Sequence, residues 1–171
     1  MTIPKLSEGQ VTNIISYIQA NIGAALDAVA AAGPQPPLMS LENPKEYFIV
    51  EKQQGYQLPA VFVLLPTLDF RIKDKSSNFI NAEGRILVIV WVEDQDEEIL
   101  TFKAWRYQQA LFAVLDQANI LSSDNLLKLT PVVYSAESTN IEPYVNEQSP
   151  GARFRKAILL RCNVEHLENY A

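Results

Sequence analysis

Few side chains in this sequence have the chemistry that a catalytic or metal centre needs, and those few are badly spaced for it. His166 is the one histidine, so a histidine-carboxylate metal site would have to draw every other ligand from Asp and Glu, without a spacing such as HExxH. The same ring would have to serve any Ser-His-Asp or Cys-His arrangement, and neither Cys162 nor any serine lies in a nucleophile-elbow pattern. The expectation is an exposed His166 near the C-terminus and a Cys162 packed as a small core hydrophobe. With one cysteine there is no intrachain disulfide and no thiolate cluster for zinc, which favours a reducing compartment. Phosphate cradles are missing too, since neither GxGxxG nor GxxxxGK followed by Ser or Thr occurs among six glycines. The sequence nominates no catalytic residue, no cofactor and no metal, and the chain is expected not to be an enzyme.

Charge is the chemistry that is concentrated. Glu93, Asp94, Asp96, Glu97 and Glu98 lack the ligand spacing and glycine of a calcium loop. Carboxylates in a first helical turn are stabilised there by the backbone dipole, and Asp94 is placed to cap the Glu97 amide. A salt-bridging patch for a partner is the other reading of this cluster. Arg153, Arg155, Lys156 and Arg161 form the opposite pole, with no acid between Gly151 and Asn163. That strip reads either as the solvated outer face of an edge strand or as a binding surface for acidic protein or nucleic acid. The whole chain has net charge -6, which repels a phosphate backbone at long range and weighs against nucleic acid. Trp91 and Trp105 read as core more readily than as a binding platform.

The elements that would position these residues follow from hydrophobic periodicity. Val11, Ile14, Ile15, Ile18, Ile22, Leu26 and Val29 recur at steps of three and four, the stripe of an α-helix. Ser7 and Gln10 suit a capping box at its start, and Gly33 with Pro34, Pro36 and Pro37 stops it after roughly 25 residues. Tyr47 to Val50 and Ala60 to Leu65 read as short strands able to form a hairpin, and 68 to 75 as an exposed edge strand carrying Arg71, Lys73 and Lys75. Ile86 to Val92 is seven apolar residues without interruption, which implies a strand buried on both faces. A second helix opens at the acidic cluster and runs to Ala118. Leu100, Ala104, Tyr107, Leu111, Val114, Leu115 and Ala118 mark one stripe, with Ile99, Phe102, Trp105 and Phe112 beside it. So wide an apolar surface asks for two neighbours, one of them the sheet and the other the first helix or a second subunit. Within 122 to 148, strands are expected at Val132 to Tyr134 and Ile141 to Val145, and Arg153 to Val164 closes the fold as a strand. The fold class is α+β: an antiparallel or mixed sheet with a long helix across one face, plus the long N-terminal helix. At 171 residues and 48% apolar content, one domain spanning 1–171 buries roughly 70% of its unfolded surface. No basic and apolar leader opens the chain, and no run of about eighteen uninterrupted apolar residues occurs, so a soluble protein is expected.

From Arg85 to Ala118 the order is a buried strand RILVIVWVE, an acidic turn DQDEE, and a helix bearing Ala104, Tyr107, Ala110, Leu111 and Leu115. This succession resembles the tail terminator proteins of long-tailed bacteriophages. The closing segment, with Arg155, Ala157, Leu159 and Val164, resembles their return from a variable loop into a last strand of the same sheet. The resemblance implies a non-enzymatic virion protein of the tail and neck, made in the host cytoplasm. It implies a hexameric ring on the tail tube that ends tube growth and offers a surface to the neck. Its implied partners are further copies of itself, the tail tube protein, a neck or connector protein, and a sheath protein where the tail contracts. DNA would pass through without sequence-specific binding, and no membrane is involved. Other readings are another ring of the neck, connector or tail completion apparatus, a small enzyme with an unrecognised site, and a small nucleic-acid-binding module using Arg71, Lys73 and Lys75 with Arg153 and Arg155. Candidate subunit contacts are Glu93, Asp94, Asp96, Glu97, Glu98, Ile99, Phe102 and Trp105 on one pole. Arg153, Arg155, Lys156 and Arg161 are those on the other, paired head to tail if the two poles lie on different sides.

Overall fold

The computed structural model describes residues 8–32, 41–49, 55–64, 71–75, 79–116, 118–121, 125–137, 144–145 and 152–169. Helix α1 runs Glu8–Ala32, and its Val11, Ile14, Ile18, Ile22 and Leu26 stripe is buried as the periodicity expects. The Ser7 cap and the Gly33 to Pro37 stop lie outside the described residues. Gln10 does not turn back to cap the helix; it is buried, and its side chain is used in the core, as described below. By length and composition Gly9–Ala32 is apolar enough to cross a membrane, at mean hydropathy 1.3. Its Val11, Ile14, Ile18, Ile22 and Leu26 are packed into the core, while Ala20, Ala24, Ala28, Ala30, Ala31 and Ala32 are exposed.

Strands β1 (Glu46–Phe48), β2 (Ala60–Leu64), β3 (Arg71–Lys75) and β4 (Phe79–Asp94) precede helix α2 (Glu97–Leu115). Strands β5 (Asn119–Leu121), β6 (Asn125–Glu137), β7 (Tyr144–Val145) and β8 (Ala152–Asn169) follow it. The sheet order is β1-β2-β4-β8-β6-β5, with β3 paired to the first part of β4 and β7 to the start of β8. All pairings are antiparallel except β1 with β2, so the sheet is mixed. That parallel pair corrects the expected hairpin, because a hairpin requires its strands to run in opposite directions. Strand β3 is exposed along its whole length, as the basic edge pattern suggests.

Strand β4 is interior, lying between β2 and β8, and Ile86, Val88, Ile89, Val90 and Val92 are all buried. Strand β8 is interior too, paired with β4 on one side and β6 on the other, which corrects the reading of 153–164 as an edge. Its own residues explain this. Ile158, Leu160, Cys162 and Val164 face the helices, while Ala157 and Leu159 belong to a second apolar cluster on the opposite face. The strand expected at Val132 to Tyr134 is the middle of the longer β6, and the one expected at Ile141 to Val145 is described only at β7.

The main core lies between the two helices and one face of the sheet, where Leu100, Ala104, Tyr107, Leu111 and Leu115 of α2 meet the α1 stripe. On the other face Leu58, Ala60, Phe62, Ile89 and Ala157 form the smaller core. Phe48 stacks on Phe62 at 5.1 Å between ring centroids, and Tyr56 meets both rings edge-on, geometries favoured by the ring quadrupoles.

Candidate assembly surface

His166 is fully buried, which corrects the expectation of an exposed ring. It sits on β8 in register with Ala82 and Leu127, and the Gln10 amide nitrogen of α1 donates to its Nδ1. A buried polar side chain needs such a partner, so the pair fastens the start of α1 to the sheet. Cys162 lies on the same sheet face, and burial pushes its thiol up to about 12. At neutral pH it carries almost no thiolate, the form that attacks or ligates. Among the described residues no three of His, Cys, Asp and Glu come together as a metal site.

A cavity of about 280 Å³ opens beside the acidic turn, lined in part by Glu42, Lys45, Glu93, Asp94, Lys103 and Tyr107. Its charges are largely neutralised from within. Lys45 meets Glu42 at 3.1 Å, Lys103 meets Asp94 at 2.5 Å, and Arg155 Nε lies 3.6 Å from Glu93. The Tyr107 hydroxyl donates to the Glu42 carbonyl, and burial, with Glu42 and Tyr47 charges adding to it, holds its pKa well above the usual tyrosine value. Burial opposes ionisation of Asp94, but hydrogen bonds from Lys103 and the Asp96 and Gln95 amides outweigh it and hold the carboxyl below its ordinary value.

The helix cap is Asp96, whose carboxylate accepts from the Glu98 and Ile99 amides at 2.8 and 3.0 Å, while Asp94 accepts from the Asp96 amide one turn earlier. This corrects the assignment of the cap to Asp94. The acidic pole therefore divides by task. Glu93, Asp94 and Asp96 are engaged within the chain, and Glu97 and Glu98 are exposed in the first turn. Next to them α2 presents apolar side chains to solvent: Ile99 is 36% and Trp105 49% exposed, with Phe102 edge-on to Trp105 at 5.6 Å. Exposed bulk of this kind beside an ordered helix is the composition of an interface centre.

The basic pole divides as well. Glu93 and Arg155 are cross-strand partners in β4 and β8, so these two members lie on the same side of one subunit. The Lys156 ammonium donates to the Thr101 hydroxyl of α2. Arg161 is exposed on the sheet face away from the helices. Arg153 pairs through its backbone with Tyr144, and its side chain is outside the described residues. Sequence patterns did not single out Arg85 and Lys128, which share the open sheet face with Arg161; their one signal is alternation with buried neighbours.

Neither a family model nor a curated protein sequence matches the chain. Among solved structures, a chain from the virion of a native gene transfer agent particle aligns with 86% of this chain and 94% of its own length, at 17% identity and a TM-score of 0.39. At that level the two chains share an arrangement only loosely, and no function passes from one to the other. Fold and surface together define an α+β protein with an exposed apolar helix face and divided surface charge.

Proposed function

We propose that this chain is a one-domain structural subunit of a phage-like particle, assembling as a ring at the end of the tail tube. There it stops tube growth and faces the neck. The observation that carries this reading is the outer face of α2, where Ile99, Phe102 and Trp105 stand beside Glu97 and Glu98. On this face apolar area and unspent charge lie side by side, as in subunit contacts. The resemblance of 85–118 and 155–164 to tail terminators supports the position in the particle, with a hexamer, a tube protein and a neck protein as partners. Other rings of the neck or tail completion apparatus are the nearest alternative.

The test is Trp105→Glu. The side chain is half exposed, so the fold should tolerate the change and the melting temperature should stay near that of the parent. In a strain producing the particles, the variant is expected to be missing from purified particles and to leave tails of uncontrolled length. Normal incorporation and normal tails would remove the α2 face from the contact.

A further inference from the structure

The sheet face away from the helices is apolar over β1, β2 and the adjoining stretches of β4 and β8 at Leu87 to Trp91 and Ala157 to Leu159, and polar beyond them. Register places Arg85 opposite Asn163, Arg161 opposite Leu87 and Lys128 opposite Glu165, all on that face, with Arg71 beside Glu83 at its edge. With strands spaced about 4.8 Å apart, this surface is roughly 14 Å wide across β6, β8, β4 and β3. Arg71, Lys73, Arg85, Lys128 and Arg161 are exposed there, against the exposed Asp74 and two partly buried carboxylates, Glu83 and Glu165. Glu83 is engaged by Lys73 at 2.6 Å. Among the described residues Arg85, Lys128 and Arg161 have no ion-pair partner. A face of net positive sign on a chain of net charge -6 leaves the remaining surface more acidic than the whole.

We infer that this basic sheet face receives the acidic first turn of α2, Glu97 and Glu98, from a second copy of the chain. The inference rests on the ring reading and names the two surfaces that meet. Helix α2 packs on the opposite side of the sheet from the basic rows, so one chain cannot satisfy its own face. The contact joins unlike surfaces on neighbouring copies, and such a contact repeats until it closes on itself. Ile99 and Trp105 of the incoming helix add apolar area over the partly buried Leu64 and Leu87 beside Arg161. Nucleic acid fits this face less well, because three carboxylates, Asp74, Glu83 and Glu165, lie within it.

The experiment uses the full chain in sedimentation velocity at low and high salt, with Arg85→Glu/Arg161→Glu and with that pair combined with Glu97→Lys/Glu98→Lys. Circular dichroism and melting check that each variant is folded. The parent is expected to self-associate at low salt and less so at high salt. The first variant should bind at least about tenfold more weakly, and the combined variant should regain most of that loss. Carbodiimide treatment of the parent should join Lys128 to Glu97 or Glu98 between copies. Association that ignores the first variant overturns the pairing and leaves the ring reading standing. A parent that stays monomeric at low salt also overturns it, while tail length tests the ring reading separately. Binding of a DNA duplex by the monomeric parent, lost with Arg85→Glu/Arg161→Glu, would assign the face to nucleic acid instead.

Discussion

Replacing His166 by Leu should destabilise the fold through the partner it leaves behind. Gln10 is 1% exposed, and its amide nitrogen has His166 Nδ1 as its acceptor. The site is buried, so a donor left without its acceptor costs about 1–3 kcal/mol. Gln10→Leu should cost less, because it also removes Gln10 Oε1, a buried oxygen without a hydrogen-bond partner. The double variant removes both polar ends and should lie well below the sum of the singles, with a coupling of about 1–2 kcal/mol. Urea unfolding followed by circular dichroism measures all three, with unchanged slopes as the check on two-state behaviour. Single losses below about 0.5 kcal/mol that simply add would refute the argument, since that is the behaviour of surface sites.

Three further outcomes follow from the same geometry. Leu111→Ala should cost about 2–5 kcal/mol in the same assay, because the side chain is fully buried between α2 and its neighbours. Cys162 should resist an aromatic disulfide reagent at pH 8 while folded and react once in denaturant, its thiol being buried and its pKa pushed up to about 12. Asp94 has a folded pKa below its unfolded value, so its contribution is full above about pH 4 and is lost as pH falls through the folded pKa. Asp94→Asn should therefore be less stable than the parent near pH 7, by under about 1 kcal/mol given the solvent at this turn, with the gap closing in acid.

Local periodicity made α1, α2 and the interior position of β4 legible, because each is set by residues within a few positions of one another. What it missed depends on pairing across the chain. His166 is buried because Gln10, 156 positions away, arrives to bond it. The arginines of β8 imitated an edge strand, yet the strand has Ala157 and Leu159 on the same alternation, and a second core covers that stretch. The direction of β1 against β2 is written in no residue of either strand. The charged poles were visible as sequence clusters, but cross-strand register joined Glu93 to Arg155 and gathered Arg85, Lys128 and Arg161 from three strands onto one face. Only Glu97, Glu98 and the apolar residues after them came through as an exposed, continuous surface.

The most direct measurement of the central claim is the tail-length distribution by electron microscopy in particle preparations whose producing strain lacks this chain. Tubes extended past the normal length and separated from heads are expected, with normal length and joining restored by the parent chain supplied in trans and not by Trp105→Glu. Tails of normal length joined to heads in the absence of the chain would contradict it.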